Sequence, residues 1–366
     1  MTMRIDDLDT PSLVVDLDVL ENNVRSLASY CRKHGLKLRP HTKTHKIPAI
    51  AKLQLEAGSP GITVAKVGEA EVMAEAGLDD ILIAYPVLGR PKLERLTALA
   101  RECQLAVALD SRTALEGVGW AAKEAGRSVD VLVEFDAGVG RCGVASPAEV
   151  VSLAKAATAL PGLRFRGILF FMGLLGSGES DPTPVLEGLS RKIESIQKDL
   201  QREGLQCVVV SGGNTPMAHH SHEIRGLTEI RSGTYVFNDM NTVNHGACRL
   251  TDCALQVVVT VVSNAVPGRA MVDGGSKTFS SDRLSSGSQQ GFGYVTQHAE
   301  VLFTSMNEEH GYLDLRHSSW KPEVGEKLNI IPNHVCTCVN MHDQIFYHRK
   351  GEVLGSWIVE GRGKVR

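Results

Sequence analysis

The chain has 366 residues, of which 43% are hydrophobic and 22% are charged, so it can bury a large core and is expected to form two domains. Its formal net charge of -3 gives no basic field for nucleic acid or an anionic membrane, and no apolar run approaches a membrane-spanning length. We therefore expect neither nucleic acid nor membrane among its partners.

The first seven residues lack the basic and apolar regions of a signal peptide, which predicts a cytoplasmic location. The cysteines follow no framework spacing, which predicts reduced thiols that mostly lie in the core. These cysteines are Cys31, Cys103, Cys142, Cys207, Cys248, Cys253, Cys336 and Cys338.

Short β-branched runs alternate with amphipathic helical patterns from residue 12 to about residue 211. The runs predicted as buried strands are residues 12–15, 61–65, 81–84, 105–109, 129–135, 165–171 and 207–210. So many successive βα units indicate a parallel sheet, and they favour a closed barrel over an open sheet.

Two of the predicted helices have clear boundary signals. The first follows residue 16, with Asp18 and Glu21 as candidates to cap its start and Gly35 to end it. The second begins at Ser146, where a proline at the first helical position and Glu149 complete a capping-box pattern.

The pattern changes after Leu250, where helical periodicity gives way to short alternating runs separated by glycine-rich turns. This part predicts an antiparallel β domain with a long polar loop at residues 280–293. The predicted domains are thus a barrel at residues 9–250 and a β domain that consists of residues 251–366 together with residues 1–8.

A basic cluster follows Leu38 and contains His41, Lys43 and Lys46. A lysine at a strand end can reach a cofactor carbonyl, and neighbouring cations lower its pKa, so its amine can form a Schiff base. Lys43 is the better candidate of the two lysines. A solvated basic loop is the alternative explanation.

Two further segments follow predicted strands. Glycines at 212 and 213, followed by Asn214 and Thr215, form a turn in which backbone N–H groups can approach a phosphate, although a plain turn explains the pattern equally well. Arg141 lies among glycines that leave its guanidinium room to approach a flat ring, and a surface ion pair is the alternative.

His334 and Cys336 follow a β-branched run. If this segment is extended, both side chains point to the same face and can meet one divalent ion. A core thiol beside a hydrogen-bonded histidine is the alternative.

Several segments in the same order along the chain resemble the D-threonine aldolase and D-serine dehydratase-like family, which consists of fold type III pyridoxal phosphate enzymes. The segments that carry this resemblance are residues 9–16, 39–46, 140–144, 212–215, 228–235, 332–336 and 340–343. Together they span nearly the whole chain.

The resemblance implies a (β/α)8 barrel of the alanine racemase type followed by an antiparallel β domain, and commonly a homodimer. It implies that Lys43 carries pyridoxal 5'-phosphate and that Arg141 contacts the ring oxygen. The remaining implied cofactor contacts are the phosphate-binding Gly212, Gly213, Asn214 and Thr215, with Tyr235 as an additional donor.

The resemblance also implies that His334 and Cys336 bind a divalent metal, zinc or manganese. The soft thiolate favours zinc. His41, His310 and Asp343 are further candidates near the substrate, with structural roles as the alternative for His310 and Asp343.

One segment departs from the aldolases, in which a tyrosine and two histidines follow the strand that ends near residue 171. Here the chain has Phe171, Met172 and Leu174, and no titratable side chain occurs in residues 170–175. The proton acceptor for the substrate hydroxyl is therefore missing from this segment. The apolar side chains are expected to line a pocket for a bulky β-substituent.

The predicted function is a metal-assisted lyase that acts on a β-hydroxy-D-amino acid, with D-threonine aldolase activity slightly favoured. The first alternative is a dehydratase of the D-serine or D-3-hydroxyaspartate type, which the histidine–cysteine ligand pair favours. An amino-acid racemase is a further alternative, with Tyr294 and Tyr312 as candidate acids or bases. A noncatalytic cofactor carrier is disfavoured because carriers usually lack the β domain.

Overall fold

The computed structural model describes residues 3–285 and 291–366, so the predicted polar loop lies partly outside the described residues. The chain divides into two compact units. The barrel unit consists of Ser26–Lys43, Pro48–Gly233 and Gly363–Arg366. The β unit consists of Met1–Arg25, Thr44–Ile47 and Thr234–Arg362. The domain boundary proposed between residues 250 and 251 stays a prediction.

Strands and helices alternate in the first two-thirds of the chain, and strands dominate the last third. The strands are β1 (Ser12–Asp16), β2 (Lys37–Leu38), β3 (Ile62–Val64), β4 (Asp80–Ile83), β5 (Gln104–Leu109), β6 (Val129–Glu134), β7 (Leu163–Leu169), β8 (Val209–Gly212), β9 (Glu229–Ile230), β10 (Leu255–Ser263), β11 (Arg269–Val272), β12 (Gly293–Val295), β13 (Leu302–Met306), β14 (Gly311–Asp314), β15 (Lys327–Pro332), β16 (Gln344–Arg349) and β17 (Glu352–Ile358). The helices are α1 (Leu17–Lys33), α2 (Pro48–Glu56), α3 (Val67–Glu75), α4 (Arg90–Glu102), α5 (Arg112–Ala125), α6 (Pro147–Ala159), α7 (Thr183–Arg202), α8 (Met240–Asn244), α9 (Ser276–Phe279) and α10 (Val335–Val339).

The barrel unit is built on eight parallel strands in the order β2-β9-β8-β7-β6-β5-β4-β3. Its two outermost strands also meet, because His41 pairs with Thr63 in a parallel bridge and the N–H of Thr63 donates to the carbonyl of Pro40 at 2.8 Å. The sheet therefore closes into a barrel, and the predicted fold class is confirmed.

The β unit contains a nine-stranded sheet in the order β11-β14-β13-β12-β15-β10-β1-β16-β17. Its neighbours are antiparallel except for β1 and β16, which run parallel. The sequence pattern placed β1 among the barrel strands, and this assignment is wrong. A run of apolar residues indicates a strand buried on both faces, but it does not indicate which sheet the strand joins.

The two predicted helix starts have different outcomes. The Ser146 hydroxyl accepts from the N–H of Glu149, whose carboxylate accepts from the N–H of Ser146, so the capping box at α6 is confirmed. At α1, however, the carboxylate of Asp16 accepts from the first-turn N–H groups at residues 18 and 19. Asp18 and Glu21 instead form ion pairs with Arg349.

None of the helices in the described part of the chain combines the length and the apolar character needed to cross a membrane.

Candidate active site

The turn that carries Lys43 follows β2 at the C-terminal end of the barrel strands, as predicted. The neighbouring hydroxyl of Thr42 anchors it, because the single proton of this buried group is shared between the carboxylate of Glu69 at 2.7 Å and the carbonyl of Thr63 at 3.1 Å. The N–H of Lys43 lies 3.4 Å from Nδ1 of His41. Within residues 3–285 and 291–366, no hydrogen bond or ion pair engages the Nζ of Lys43, and its side chain is exposed.

Lys46, the second lysine of the motif, is differently placed. It is buried in the β unit with a left-handed backbone (φ 56°), and its Nζ donates to Oδ1 of Asn340 at 2.7 Å. The carbonyl of Lys46 accepts from the N–H of Gly361 at 3.0 Å. Its amine therefore serves a structural hydrogen bond, which leaves Lys43 as the accessible amine.

Arg141 lies in a loop that a carboxylate holds in shape. Oδ1 of Asp136 accepts from three consecutive N–H groups, at residues 138 to 140, at 2.9–3.0 Å. These donors, that of Gly140 foremost, keep the pKa of Asp136 below its ordinary value. The Arg141 guanidinium stacks 3.8 Å from the ring centroid of Phe171 and lies 3.8 Å from the carboxylate of Glu134. The structure thus brings Arg141 and Phe171 together.

A buried polar network, which the sequence did not predict, extends from Arg231. Its guanidinium donates to the hydroxyl of Ser211 at 2.8 Å and to the carbonyl of Phe170 at 2.7 Å. The Ser211 hydroxyl in turn donates to the carboxylate of Glu229 at 2.7 Å. Burial lowers the pKa of Arg231 to about 10 and raises that of Glu134. Arg231 lies within residues 228–235, one of the segments that carry the family resemblance. The resemblance could therefore have drawn attention to this residue.

The glycine turn begins at Gly212, the last residue of β8. Gly212 is packed against Phe170, since a Cβ at residue 212 would lie 2.0 Å from Cζ of that ring. Gly213 has a φ of 76°, in the left-handed region that favours glycine. The amide of Asn214 donates to the carbonyl of Gly173 at 2.5 Å, and its oxygen accepts from the N–H of Met217 at 2.7 Å. Thr215 is buried in the same turn.

His334 and Cys336 lie in the β unit, but not in an extended segment. His334 is the N-cap residue of α10, and Cys336 lies in the first turn of that helix. The extended conformation considered above is therefore not adopted, yet Cys336 is among the groups that raise the pKa of His334. The thiol of Cys336 also donates to the hydroxyl of Thr44 at 3.2 Å.

A buried carboxylate that the sequence did not predict orients His334. Oδ2 of Asp239 lies 3.3 Å from Nδ1 of His334 and accepts from the N–H of Val335 at 3.1 Å. Burial alone lowers the pKa of His334, but the hydrogen bonds with Asp239 and Cys336 raise it to about 11. Because Nδ1 faces the carboxylate, Nε2 is the ring nitrogen left to bind a cation.

The other predicted residues have varied positions. Tyr235 is buried in the 3-10 turn Thr234–Val236 of the β unit. Met172 is fully buried and Leu174 is exposed, both in the barrel unit. Asp343 is exposed and forms an ion pair with Arg362 at 2.9 Å.

His310 borders an open cavity of about 630 Å³ in the β unit, which is lined by Ser276, Ser281, Arg283, Phe292, Met306, Asn307, Glu308, Glu309 and His310.

The chemistry of these side chains fits the two groups that the sequence predicts. An exposed amine, an arginine and a glycine turn at strand ends are suited to an aldehyde that carries a phosphate. A nitrogen and a sulfur donor, with the imidazole held by a carboxylate, are suited to a divalent metal such as zinc. Among the described residues, no group of three or more histidine, cysteine or acidic side chains is placed to hold a metal, so this site offers a pair of donors.

Two family models match the chain in succession. The model described as "Alanine racemase, N-terminal domain" matches residues 15–240, and the model described as "Putative serine dehydratase domain" matches residues 254–348.

Individual relatives match along nearly the whole chain. A D-threonine aldolase from Arthrobacter sp. is 34% identical over 97% of this chain and 93% of its own length. A D-threo-3-hydroxyaspartate dehydratase from Delftia sp. is 34% identical over 90% of this chain and 91% of its own length. The crystal structure of D-threonine aldolase from Filomicrobium marinum superposes with a TM-score of 0.91, at 32% identity over 100% of this chain and 99% of that one. The chain therefore belongs to the D-threonine aldolase and D-serine dehydratase-like family of pyridoxal phosphate-dependent lyases.

Proposed function

We propose that this protein is a pyridoxal phosphate- and metal-dependent lyase that cleaves a β-hydroxy-D-amino acid between Cα and Cβ, giving glycine and an aldehyde. The observation that carries the proposal is the placement of His334 and Cys336 at the start of α10, with Asp239 holding the imidazole of His334. A metal at such a pair suits a substrate with a β-hydroxyl group, whereas racemization requires no metal. The similarity to enzymes named as aldolases and dehydratases supports the same class.

In this proposal the barrel unit holds the cofactor. The exposed amine of Lys43 attaches it, Arg141 contacts its ring, and the turn from Gly212 to Thr215 binds its phosphate, with Tyr235 of the β unit as an additional donor. When bound, pyridoxal phosphate withdraws electrons from the Cα of the substrate. Phe171 stacks under the Arg141 guanidinium, which limits the freedom of that side chain and excludes water from one of its faces.

The β unit supplies the groups that act on the β-hydroxyl. His334 and Cys336 hold the metal, which polarises that oxygen when bound. Asp239 fixes the tautomer and orientation of His334, so it is a positioning residue. The thiolate of Cys336 makes zinc the expected metal, with manganese as the alternative.

Dehydration to ammonia and a keto acid is the second candidate. The cysteine at the second metal position favours it, because this ligand pair is the pattern of the dehydratases. The sequence from Asn340 to Asp343 resembles the aldolases instead. The accessible apolar side chains of Phe171, Leu174 and Leu175 suit a bulky β-substituent, whereas Met172 is fully buried. Among the racemase candidates, Tyr312 donates its hydroxyl to Asn307 and Tyr294 packs against Ile331, so neither gives that alternative specific support.

Product analysis tests the proposal directly. The holoenzyme would be incubated with D-threonine, D-phenylserine, D-serine and D-threo-3-hydroxyaspartate while glycine, aldehyde and ammonia are measured. Glycine and aldehyde in equal amounts support the aldolase, whereas ammonia without glycine supports the dehydratase. Inversion at Cα without either product would refute a lyase. Sedimentation equilibrium on the same sample tests the proposed homodimer.

A further inference from the structure

Another lysine of the barrel unit, Lys66, follows the strand next to the one that leads to Lys43. The turn that carries Lys43 comes after β2, and β3 ends two residues before Lys66. Because the bridge between His41 and Thr63 joins these two strands, both lysines leave neighbouring strands at the C-terminal end of the barrel. The barrel unit thus carries two amines on the same rim.

One buried carboxylate holds the two lysine turns together. Glu69 is fully buried in the first turn of α3. Its Oε1 accepts from the hydroxyl of Thr42 at 2.7 Å, and its Oε2 accepts from the N–H of Ala65 at 2.9 Å. These two donors directly precede Lys43 and Lys66 in the chain. The spacing between the backbones of the two lysines is therefore fixed within the barrel unit.

The amine of Lys66 is held at the rim but keeps its charge. Its Nζ lies 3.3 Å from the ring centroid of Tyr85, which follows β4 and is 47% exposed. An aromatic face attracts a cation without neutralising it. In the two ranges that the structure describes, 3–285 and 291–366, no carboxylate lies within ion-pair distance of this Nζ. The half-buried side chain of Lys66 therefore presents a positioned cation to the mouth of the barrel.

Three acidic side chains at the ends of β5 and β6 already have partners. Asp110 accepts from a backbone N–H at 2.9 Å, and Asp136 accepts from the three N–H groups described above. The carboxylate of Glu134 lies 3.8 Å from the guanidinium of Arg141. An anionic partner for Lys66 is therefore expected from a bound ligand.

We propose that Lys66 binds the α-carboxylate of the substrate beside the cofactor that Lys43 attaches. This inference rests on the proposed function, because it takes the substrate to be an amino acid. Neighbouring strands of a sheet lie about 4.7–4.9 Å apart, so two amines that leave such strands can reach one small molecule. Only Cα separates the carboxylate of an amino acid from its nitrogen. Tyr85 acts as a positioning residue that holds the amine of Lys66 at the rim.

The ammonium group suits this task because it is a compact point charge with rotatable donors. It binds a carboxylate over a range of orientations, and the α-carboxylate is common to substrates that differ at Cβ. The residue is therefore expected to contribute to the affinity for amino acids as a class rather than to the choice of β-substituent.

Two ligands of the same shape test the proposal. D-alanine carries a carboxylate, D-alaninamide carries a neutral amide in its place, and neither has a β-hydroxyl group. Each would be titrated into the holoenzyme while the absorbance of the bound cofactor is followed. Lys66→Met is expected to bind D-alanine roughly 10- to 100-fold more weakly than the wild type, because a charge-assisted hydrogen bond is lost. D-alaninamide should bind equally to both proteins.

Two further variants serve as controls. Lys66→Arg, which keeps the positive charge, should retain a preference for D-alanine over the amide. Lys123→Met removes an exposed lysine of α5 and should bind both ligands as the wild type does. Lys66→Met should fold normally, since the Lys66 side chain makes no cap hydrogen bond with α3. Circular dichroism checks this.

Equal weakening of both ligands in folded Lys66→Met, or an unchanged affinity for D-alanine, would overturn the carboxylate site. So would the absence of any absorbance change when D-alanine is added to the wild type. If D-alanine bound through Lys66 but product analysis gave neither glycine nor ammonia, the carboxylate site would stand and the lyase would be wrong. Lyase products together with an unchanged affinity for D-alanine in Lys66→Met would refute the site alone.

Discussion

Asp239 and His334 are 95 positions apart in sequence, yet Oδ2 of the aspartate lies 3.3 Å from Nδ1 of the histidine. The same oxygen accepts from the N–H of Val335, so the carboxylate holds both the imidazole and the start of α10. A group that holds one ring nitrogen of a metal-binding histidine in this way sets the tautomer and raises the basicity of the other nitrogen.

Asp239→Asn is expected to weaken zinc binding by roughly 10- to 100-fold, because the amide holds the imidazole less strongly than the carboxylate does. The helix α8 should persist, since asparagine is also a good N-cap residue. Competition with a chromophoric chelator measures the affinity, and circular dichroism measures the fold. Asp314→Asn, a carboxylate of the same unit that pairs with Arg316, should leave zinc binding unchanged. Equal affinity in Asp239→Asn and the wild type would contradict the positioning role.

Lys43→Ala is expected to abolish covalent attachment of pyridoxal phosphate, because Lys43 is the exposed amine of the motif. Lys46→Met should retain attachment, since the amine of Lys46 is occupied by Asn340. Borohydride reduction of the wild-type holoenzyme, followed by peptide mapping, identifies the labelled lysine. Label on Lys46 would refute the assignment.

Cys336→Ala is expected to lose the metal and the lyase activity while it keeps the absorbance of the bound cofactor, because Cys336 and Lys43 belong to different units. The control is Cys338→Ala. The Cys338 thiol is buried and donates to the carbonyl of Thr278 at 3.1 Å, so its loss should leave the metal in place. Metal content after dialysis and activity after chelation are the measurements. Full activity of chelated Cys336→Ala would exclude a metal mechanism.

Gly212→Ala is expected to destabilise the apoprotein by about 1–3 kcal/mol, because the added methyl overlaps the ring of Phe170 and forces repacking. Gly188→Ala is the matched control, since Gly188 lies in α7 with its nearest neighbouring atom 3.9 Å from the added Cβ. That change should stabilise the protein by about 0.5–1 kcal/mol. Urea unfolding without cofactor measures both. An unchanged free energy of unfolding in Gly212→Ala would mean that the glycine is required only for phosphate binding.

The apolar segment at residues 170–175 lacks a titratable side chain, and a positioned proton acceptor typically contributes about 100- to 10,000-fold in rate. Turnover of D-threonine by the wild type is therefore expected to be slow, with relatively better turnover of D-phenylserine. Leu174→His and Leu175→His, which place an imidazole in this segment, should raise kcat on D-threonine more than they lower KM. Fast wild-type turnover, with unchanged kcat in both variants, would locate the acceptor elsewhere in the protein.

Sequence patterns predicted the barrel because several of its strands contain an apolar run, such as Leu105 to Leu109 in β5 and Val131 to Val133 in β6. They missed β9, which has two residues, and they assigned β1 to the wrong sheet because burial on both faces gives the same pattern in either one. The segment from Val335 to Val339 favours a strand by composition, yet its first N–H is held by Asp239, and the segment is helical. Asp239 itself was not predicted, because no local pattern marks a contact with a residue so distant in sequence.

The position of β1 in the interior of the nine-stranded sheet affects when this strand can fold during synthesis. This strand pairs on one side with β10 and on the other with β16, so its partners are synthesised some 240 and 330 residues later. β1 is the first strand to leave the ribosome. It therefore remains unpaired, with its apolar residues exposed to solvent, while the whole barrel sequence is translated. Pairing between such distant segments is slow and leaves an edge open to aggregation. Nascent chains stalled before residue 344 should accordingly depend on chaperones more than the completed protein does.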